Sequence, residues 1–372
     1  MDIEQTLSSL RESGNFRQIP AEQNANITDL SSNDYLGLGA RDDLRDAFFA
    51  TEASHQAMSA SASRLLGAIQ QPYASLESLL SESYGHGREA LLFNSGYHAN
   101  TGLVSAIADK KTLIVADRLV HASIIDGIKL SGAQFTRFPH NDFVRLEEIV
   151  ASKINDYERI LIIVESVYSM DGDTADIRAL TDIKRRHGDR ITLYVDEAHA
   201  VGVCGPAGLG LTAAADAVAD VDIIVGTFGK ALASVGAFAV MSPTMRDFMV
   251  NKARSLIFST ALPPLNIAWT EFIFRRMMDM DTERDALAVL GRHLADALGC
   301  DEPGHIRPLI VGDPRLAVEL SNKLLAAGFK VLPIRTPTVP PGTERLRFSL
   351  SAAITTDEID RLGKTLETLG IR

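Results

Sequence analysis

The chain has 372 residues, 46% of them hydrophobic, with a formal net charge of −11 and a sequence pI near 5.3. Such a length buries a substantial core across two or three structural units, and the acidic balance excludes a nucleic-acid or anionic-membrane surface, which demands clustered Lys and Arg. Two cysteines, Cys204 and Cys300, supply neither a disulfide framework nor a zinc constellation, and both read as small buried hydrophobes.

The first residues, Met1-Asp2-Ile3-Glu4-Gln5, are acidic and lack an apolar core, so no targeting peptide is expected. No apolar run approaches the roughly 18 residues that span a bilayer, and the expected location is the cytoplasm. Residues 2–13 predict a short amphipathic helix with Ile3, Leu7 and Leu10 on one face, followed by a polar, irregular stretch over 14–26. This arm must pack on something larger. In the segment from Leu30 to Leu38, the Asn33-Asp34 pair and Gly37 mark a turn between apolar flanks, a candidate place for a site residue.

From residue 72, helix and short apolar strand alternate: Tyr73–Tyr84 then Ala90–Phe93, Tyr97–Ala108 then Leu113–Val115, His121–Leu130 then Phe135. The alternation continues with Leu146–Ile154 then Ile160–Val164, Ile177–His187 then Leu193–Val195, and Ala213–Ala219 then Ile223–Val225. Strands of three to five apolar residues between helices imply an α/β fold with a mainly parallel sheet covered on both faces. In such a sheet a ligand sits outside the carboxyl ends of the strands.

After Pro263-Pro264 come two long helical stretches, Leu265–Met280 and Arg284–Leu298, in which Met277, Met278 and Met280 read as packing. The tail alternates Leu309–Val311, a helix Leu316–Leu325, Phe329–Leu332, Leu346–Leu350 and a final helix with Ile359, Leu362, Leu366 and Leu369 on one stripe. The expected organisation is an N-terminal arm over 1–40, a large domain over 41–262, and a smaller α+β domain with its connecting helix over 263–372.

The strand ends carry the chemistry. Ile223–Val225 runs into Gly226-Thr227-Phe228-Gly229-Lys230, a tight turn that aims one lysine at a cleft. Alone, Lys230 reads equally as a solvated loop lysine. The string Asp196-Glu197-Ala198-His199, at the end of Ile191–Val195, shifts the balance. Pyridoxal phosphate needs a lysine for its aldehyde, a carboxylate for the pyridine nitrogen, and hydroxyl or backbone donors for the phosphate. Asp196, His199, Thr227 and Lys230 supply that set.

Phe93-Asn94-Ser95-Gly96-Tyr97 is a strand, a glycine turn and a helix start, where backbone N–H groups could hold a phosphate. His121 could stack over a planar ring or simply start a helix. Glu165–Asp173 mixes carboxylates with hydroxyls, and Asp171 and Asp173 read as a plain Asp-Gly turn. The glycine-rich stretch Gly202–Gly210 does not directly follow a strand, and reads as a flexible loop. Asp-Glu-Ala-His also occurs in nucleotide-hydrolysing helicases, but around Lys230 a phosphate-binding loop would need Gly in place of Ile224 and Ser or Thr in place of Ala231.

Taken together, Ser32–Gly37, Ser95-Gly96-Tyr97, His121-Ala122-Ser123, Ser169–Asp173, Asp196–His199 and Thr227–Lys230 resemble, in order, the motifs of the α-oxoamine synthases. These are pyridoxal-phosphate enzymes of fold type I, and the resemblance runs from about residue 30 to the C-terminus. It implies that Lys230 binds the cofactor aldehyde, Asp196 pairs with the pyridine nitrogen, His199 and Ser169 bond the phenolic oxygen side, and His121 stacks on the ring. Gly96, Tyr97 and Thr227 would contact the phosphate, at the interface of a homodimer. Asn33 and Arg347 would hold the amino-acid carboxylate, with Thr338 and Arg17 near the acyl substrate.

Pro308–Asp313 and Ile334–Arg347 resemble the branch that joins L-alanine to a pimeloyl thioester, carried by CoA or by a carrier protein; glycine with succinyl-CoA or acetyl-CoA is the alternative within the family. The chain departs from the family pattern at three places. Ser59-Ala60-Ser61-Ala62-Ser63-Arg64 replaces a Gly-rich loop, Ala233 stands where glycine is common, and Ile354 where histidine often follows Ser351-Ala352-Ala353. These bear on the acyl pocket and subunit contact, not on the cofactor chemistry.

Overall fold

The computed structural model describes residues 2–19, 27–67 and 69–371. Two compact units emerge from it. The larger holds Gly37–Tyr168 and Thr174–Asp281; the smaller gathers the described residues up to Leu36, Ser169–Asp173 and those from Thr282 onward.

In the larger unit, among the described residues, seven strands form one sheet. Their order across it is Glu89–Phe93, Ala237–Met241, Ile223–Thr227, Ile191–Asp196, Arg159–Glu165, Thr112–Asp117 and Gln134–Phe138. The last five are mutually parallel. Ile191–Asp196, Ile223–Thr227 and Thr112–Asp117 are buried along their whole lengths, which is why they read as unbroken apolar runs. Ala237–Met241, by contrast, runs antiparallel to both its neighbours. The sequence reading passed over it, although Ala237-Phe238-Ala239-Val240-Met241 is apolar and buried along its whole length. The helix Pro243–Lys252 that follows was not visible in the sequence pattern, and the segment expected to be helical over 213–219 forms only the single turn Leu211–Ala214.

Helices Gly96–Ile107 and Ala122–Ser131 pack on the sheet through Leu103, Val104, Ile124 and Ile128, each at most 1% exposed. The helix Pro264–Met277, grouped with the C-terminal domain in the sequence reading, packs within the larger unit. The reason is its aromatic content: Trp269 and Phe272 meet Phe48 edge-on at 5.3 and 5.4 Å between ring centroids. Met277 is fully buried there.

The smaller unit has a three-stranded antiparallel sheet, Leu332–Ile334, Arg345–Ser349 and Ile306–Ile310, and a short parallel pair, Thr28–Asp29 with Phe329–Lys330. Its final helix, Thr356–Thr368, starts at a capping box in which Thr355 and Glu358 exchange side-chain and backbone bonds. Ile359, Leu362 and Leu366 then lie on one stripe with no exposure. The N-terminal helix forms over Ile3–Glu12 with Ile3, Leu7 and Leu10 exposed, so its apolar face is not what holds the arm. Arg335 donates instead to the carbonyls of Gly14 and Phe16, and Arg315 to that of Glu12. Of the irregular stretch expected over 14–26, residues 20–26 lie outside the described residues.

Candidate active site

The strands Ile191–Asp196 and Ile223–Thr227 lie side by side and parallel, with Asp196 opposite Val225, so their following turns leave the same sheet edge. The lysine turn is closed by the backbone bonds Phe228 N–H to Gly236, Ser234 N–H to Phe228 and Ala233 N–H to Lys230, each 2.9 Å. The aspartate turn is closed by Ala200 and Val201 N–H donating to the carbonyl of Glu197. As a result Lys230 Nζ lies 2.8 Å from His199 Nε2.

Asp196 is 4% exposed. Its Oδ1 accepts from the Ala198 N–H at 2.9 Å and its Oδ2 from Asn100 Nδ2 at 2.7 Å. A carboxylate has about four lone-pair positions, so with these two bonds capacity for a further donor remains. His121 caps the helix Ala122–Ser131, where its Nδ1 lies 3.2 Å from the Ser123 N–H and 2.8 Å from Ser123 Oγ. The surrounding protein desolvates this imidazole and lowers its pKa; the charge of Asp196 opposes that shift and Lys230 adds to it. The residue as a whole is exposed.

The helix Gly96–Ile107 begins at Ser95, whose hydroxyl accepts from the His98 N–H. The N–H groups of Gly96 and Tyr97 at this positive end have no partner within the helix, and a Cβ on Gly96 would lie 3.9 Å from Thr227 Oγ1. The three residues expected at the phosphate therefore converge. The Tyr97 hydroxyl donates to Asp126, which raises its pKa.

Ser169, Asn33, Arg347, Arg17 and Thr338 belong to the smaller unit. Arg347, 3% exposed, donates from Nε to the Ser169 carbonyl at 2.6 Å and from Nη2 to Asn33 Oδ1 at 3.2 Å. The pair expected at the amino-acid carboxylate is thus in contact. Arg17 Nη2 donates to Thr338 Oγ1 at 3.1 Å, and both residues are exposed. Asp171 is more than a turn residue, because it forms an ion pair with Arg345.

Three expectations are corrected. The Gly202–Gly210 stretch is not a loose loop: Gly202 and Gly210 donate back to Gly208 and Cys204 at 2.7 and 2.8 Å. The anchor is Glu197, fully buried, which accepts from Ser166 Oγ at 2.5 Å, Thr212 N at 2.6 Å and Leu211 N at 3.0 Å. Its carboxylate lies so close that a Cβ on Gly210 would fall 2.7 Å from it. The two cysteines are free but only half-buried; burial, together with the charge of Glu197, pushes the Cys204 thiol up to about 12. In the loop that replaces the family's glycines it is Ser61, not an alanine, that takes the left-handed backbone at φ 54°, while Ala233 does so at φ 44°. Arg64 closes that loop on Glu77 through two 3.0 Å bonds.

The sequence reading gave no role to Asn100, Tyr194 or Ser123, the last of them quoted only as part of the His121-Ala122-Ser123 motif. The available signal was a polar residue on an otherwise apolar helix face, Asn100 beside Ala99 and Leu103. A cavity of about 510 Å³, lined by residues that include Leu38, Phe48, Met58, Ala233, Asn266 and Trp269, is separate from the cluster: Lys230, Asp196, His121 and His199 are not among its lining residues. Among the described residues no group of His, Cys, Asp and Glu could hold a metal ion, and no helix is long and apolar enough to cross a membrane.

A lysine against a histidine, a buried carboxylate with a lone pair to spare, and a helix N-terminus beside a threonine fit pyridoxal phosphate, and on this sheet they define a cofactor-dependent enzyme of fold type I. The chain belongs to the aminotransferase class I and II family, whose model matches residues 25–366. It is 45% identical to 8-amino-7-oxononanoate synthase of Chlorobaculum parvum over 92% of this chain and 89% of that one. Serine palmitoyltransferase from S. paucimobilis, solved as a lysine-to-alanine variant with PLP bound as a myriocin adduct, superposes with a TM-score of 0.89 at 27% identity, covering 100% and 98% of the two chains. The 8-amino-7-oxononanoate synthase structure from Francisella tularensis gives 0.74 at 25% identity, covering 93% and 100%. This chain is a pyridoxal-phosphate enzyme of the α-oxoamine synthase type.

Proposed function

We propose that the chain condenses L-alanine with a pimeloyl thioester, on CoA or on a carrier protein, to give 8-amino-7-oxononanoate, CO2 and the free thiol carrier, a step of biotin synthesis. The observation that carries this reading is the 45% identity, across nearly the whole chain, to a protein of that name.

Bound pyridoxal phosphate supplies the electron sink that lets an amino acid lose its α-proton and form a carbon–carbon bond. In this reading Lys230 holds the cofactor, then serves as the base for the α-proton, its amine oriented by His199 2.8 Å away. Asp196 keeps the pyridine nitrogen protonated, and His121 covers the ring face. The N–H groups of Gly96 and Tyr97, with the Thr227 hydroxyl, bind the phosphate. His199 and Ser169 hold the phenolic oxygen side. Asn33 and Arg347 take the carboxylate of alanine, and Arg17 with Thr338 meets the acyl donor. The working form is a homodimer.

The serine palmitoyltransferase superposition, at a TM-score of 0.89, favours a second reading in which serine and a long-chain thioester are the substrates. Matched assays of CoA release separate the two: L-alanine with pimeloyl-CoA, glycine with succinyl-CoA or acetyl-CoA, and L-serine with palmitoyl-CoA. L-alanine with pimeloyl-CoA is expected to be fastest. Glycine, one methyl shorter, should fall about 10- to 200-fold behind alanine with the same donor. If another pair gave the highest kcat/KM, the substrate assignment would fall and the enzyme class would stand.

A further inference from the structure

We infer that Asn100 is a positioning residue, one amide that holds the carboxylate of Asp196 and the imidazole of His121 in a single hydrogen-bond relay. The inference rests on the cofactor roles proposed above for Asp196 and His121. Three elements meet at this amide: the helix Gly96–Ile107, the His121-capped start of Ala122–Ser131, and the strand Ile191–Asp196.

The orientation of the amide is forced. Asp196 accepts only, so the group 2.7 Å from its Oδ2 must be the Asn100 NH2. The second hydrogen of that NH2 goes to Ser123 Oγ at 2.9 Å, and Asn100 Oδ1 accepts from the Tyr194 hydroxyl at 2.5 Å. Tyr194 is fully buried, and burial raises its pKa well above the usual range, which preserves it as a donor. Every polar atom of the Asn100 side chain is therefore used.

The relay reaches His121 through Ser123. The backbone N–H of Ser123 donates to His121 Nδ1, so Nδ1 is an acceptor; the Ser123 hydroxyl, 2.8 Å from the same nitrogen, therefore donates to it while its oxygen accepts from Asn100. Two donors at Nδ1 keep the proton on Nε2 and the ring neutral. The charged groups that act on His121 are Asp196, Lys230 and Asp126. Close helix packing makes the relay possible: a Cβ on Gly127 would lie 2.9 Å from the Asn100 carbonyl. An asparagine that merely satisfied its own burial would not have to link the group assigned to the ring nitrogen with the group assigned to the ring face.

The test uses the full-length protein. In the cofactor-free form, ¹⁵N-histidine NMR reads the tautomer and titration midpoint of His121, its signal assigned through His121→Asn. The wild type should show the Nε2–H tautomer. In Asn100→Ala the Ser123 hydroxyl is free to turn and accept a proton from Nδ1, and in Ser123→Ala one donor is lost; the midpoint should rise by about 0.5 to 1 pH unit in each. In the holoenzyme, Asn100→Ala and the isosteric Asn100→Asp should weaken cofactor retention about 10- to 100-fold, and Ser123→Ala by less. If Asn100→Ala fails to fold, Ser123→Ala and Asn100→Asp carry both readouts. An unchanged His121 tautomer and midpoint in the folded variants overturns the relay. A cofactor found attached to a lysine other than Lys230 overturns the site assignment instead, and leaves the NMR result standing.

Discussion

The strand-end cluster of the larger unit and the arginine arm of the smaller one are built on opposite principles. Asp196, Asn100 and Ser123 are 4%, 2% and 0% exposed, and each makes at least two hydrogen bonds to other described residues. Among the described residues Arg17 donates to Thr338, and both partners are exposed. Breaking one contact in the buried network strands a polar group away from water at a cost of about 1–3 kcal/mol, so the whole set is held in one arrangement. An exposed contact is worth about 1 kcal/mol or less and can be remade with little loss. Chemistry that must be aimed at a fixed ring suits the first construction. Recognition of an acyl group that differs among related enzymes suits the second.

The largest effect that could break this comparison is expected at Lys230. Lys230→Ala should lose the borohydride-fixed attachment of pyridoxal phosphate and essentially all turnover; a peptide map of reduced wild-type enzyme with the cofactor on a different lysine would overturn the assignment. Next comes Asp196→Asn. It should fold, retain cofactor and lose about 10²- to 10³-fold in kcat, because a neutral amide no longer stabilises the protonated ring nitrogen. Near-normal turnover in that variant would remove Asp196 from the chemistry. The smallest effect is expected on the exposed arm: Arg17→Ala should raise KM for the pimeloyl thioester up to about fivefold and leave kcat within about twofold. A loss in kcat matching the loss in kcat/KM would show that the arm acts in the transition state, and the contrast between the two regions would fail.

Much of the fold was legible because a parallel strand buried on both faces must be apolar throughout. Ile191–Val195 and Ile223–Val225 stood out for that reason, and with them the two turns that carry Asp196, His199 and Lys230. Ala237–Met241 is as apolar as these strands and was passed over in the sequence; its antiparallel place between two partners is set by pairing that its own residues do not announce. The helix Pro264–Met277 was visible as a helix but assigned to the wrong neighbours, because its aromatic contacts with Phe48 join residues more than 200 positions apart.

The sequence by itself determined which residue types follow each strand, and the turns after parallel strands of an α/β sheet fall at the same edge; that is why lysine, aspartate and histidine can be grouped from the sequence alone. Tertiary structure alone decided what stands behind them. Asn100, Ser123 and Tyr194 come from two helices and a strand, and no local period marks a hydrogen bond between residues 23 or 96 positions apart. Likewise Glu197, adjacent in sequence to Asp196, turns away from it to pin Leu211 and Thr212. Two neighbouring carboxylates thus take different tasks because successive residues leaving a strand point in different directions, and only the packed chain supplies the partners each one meets.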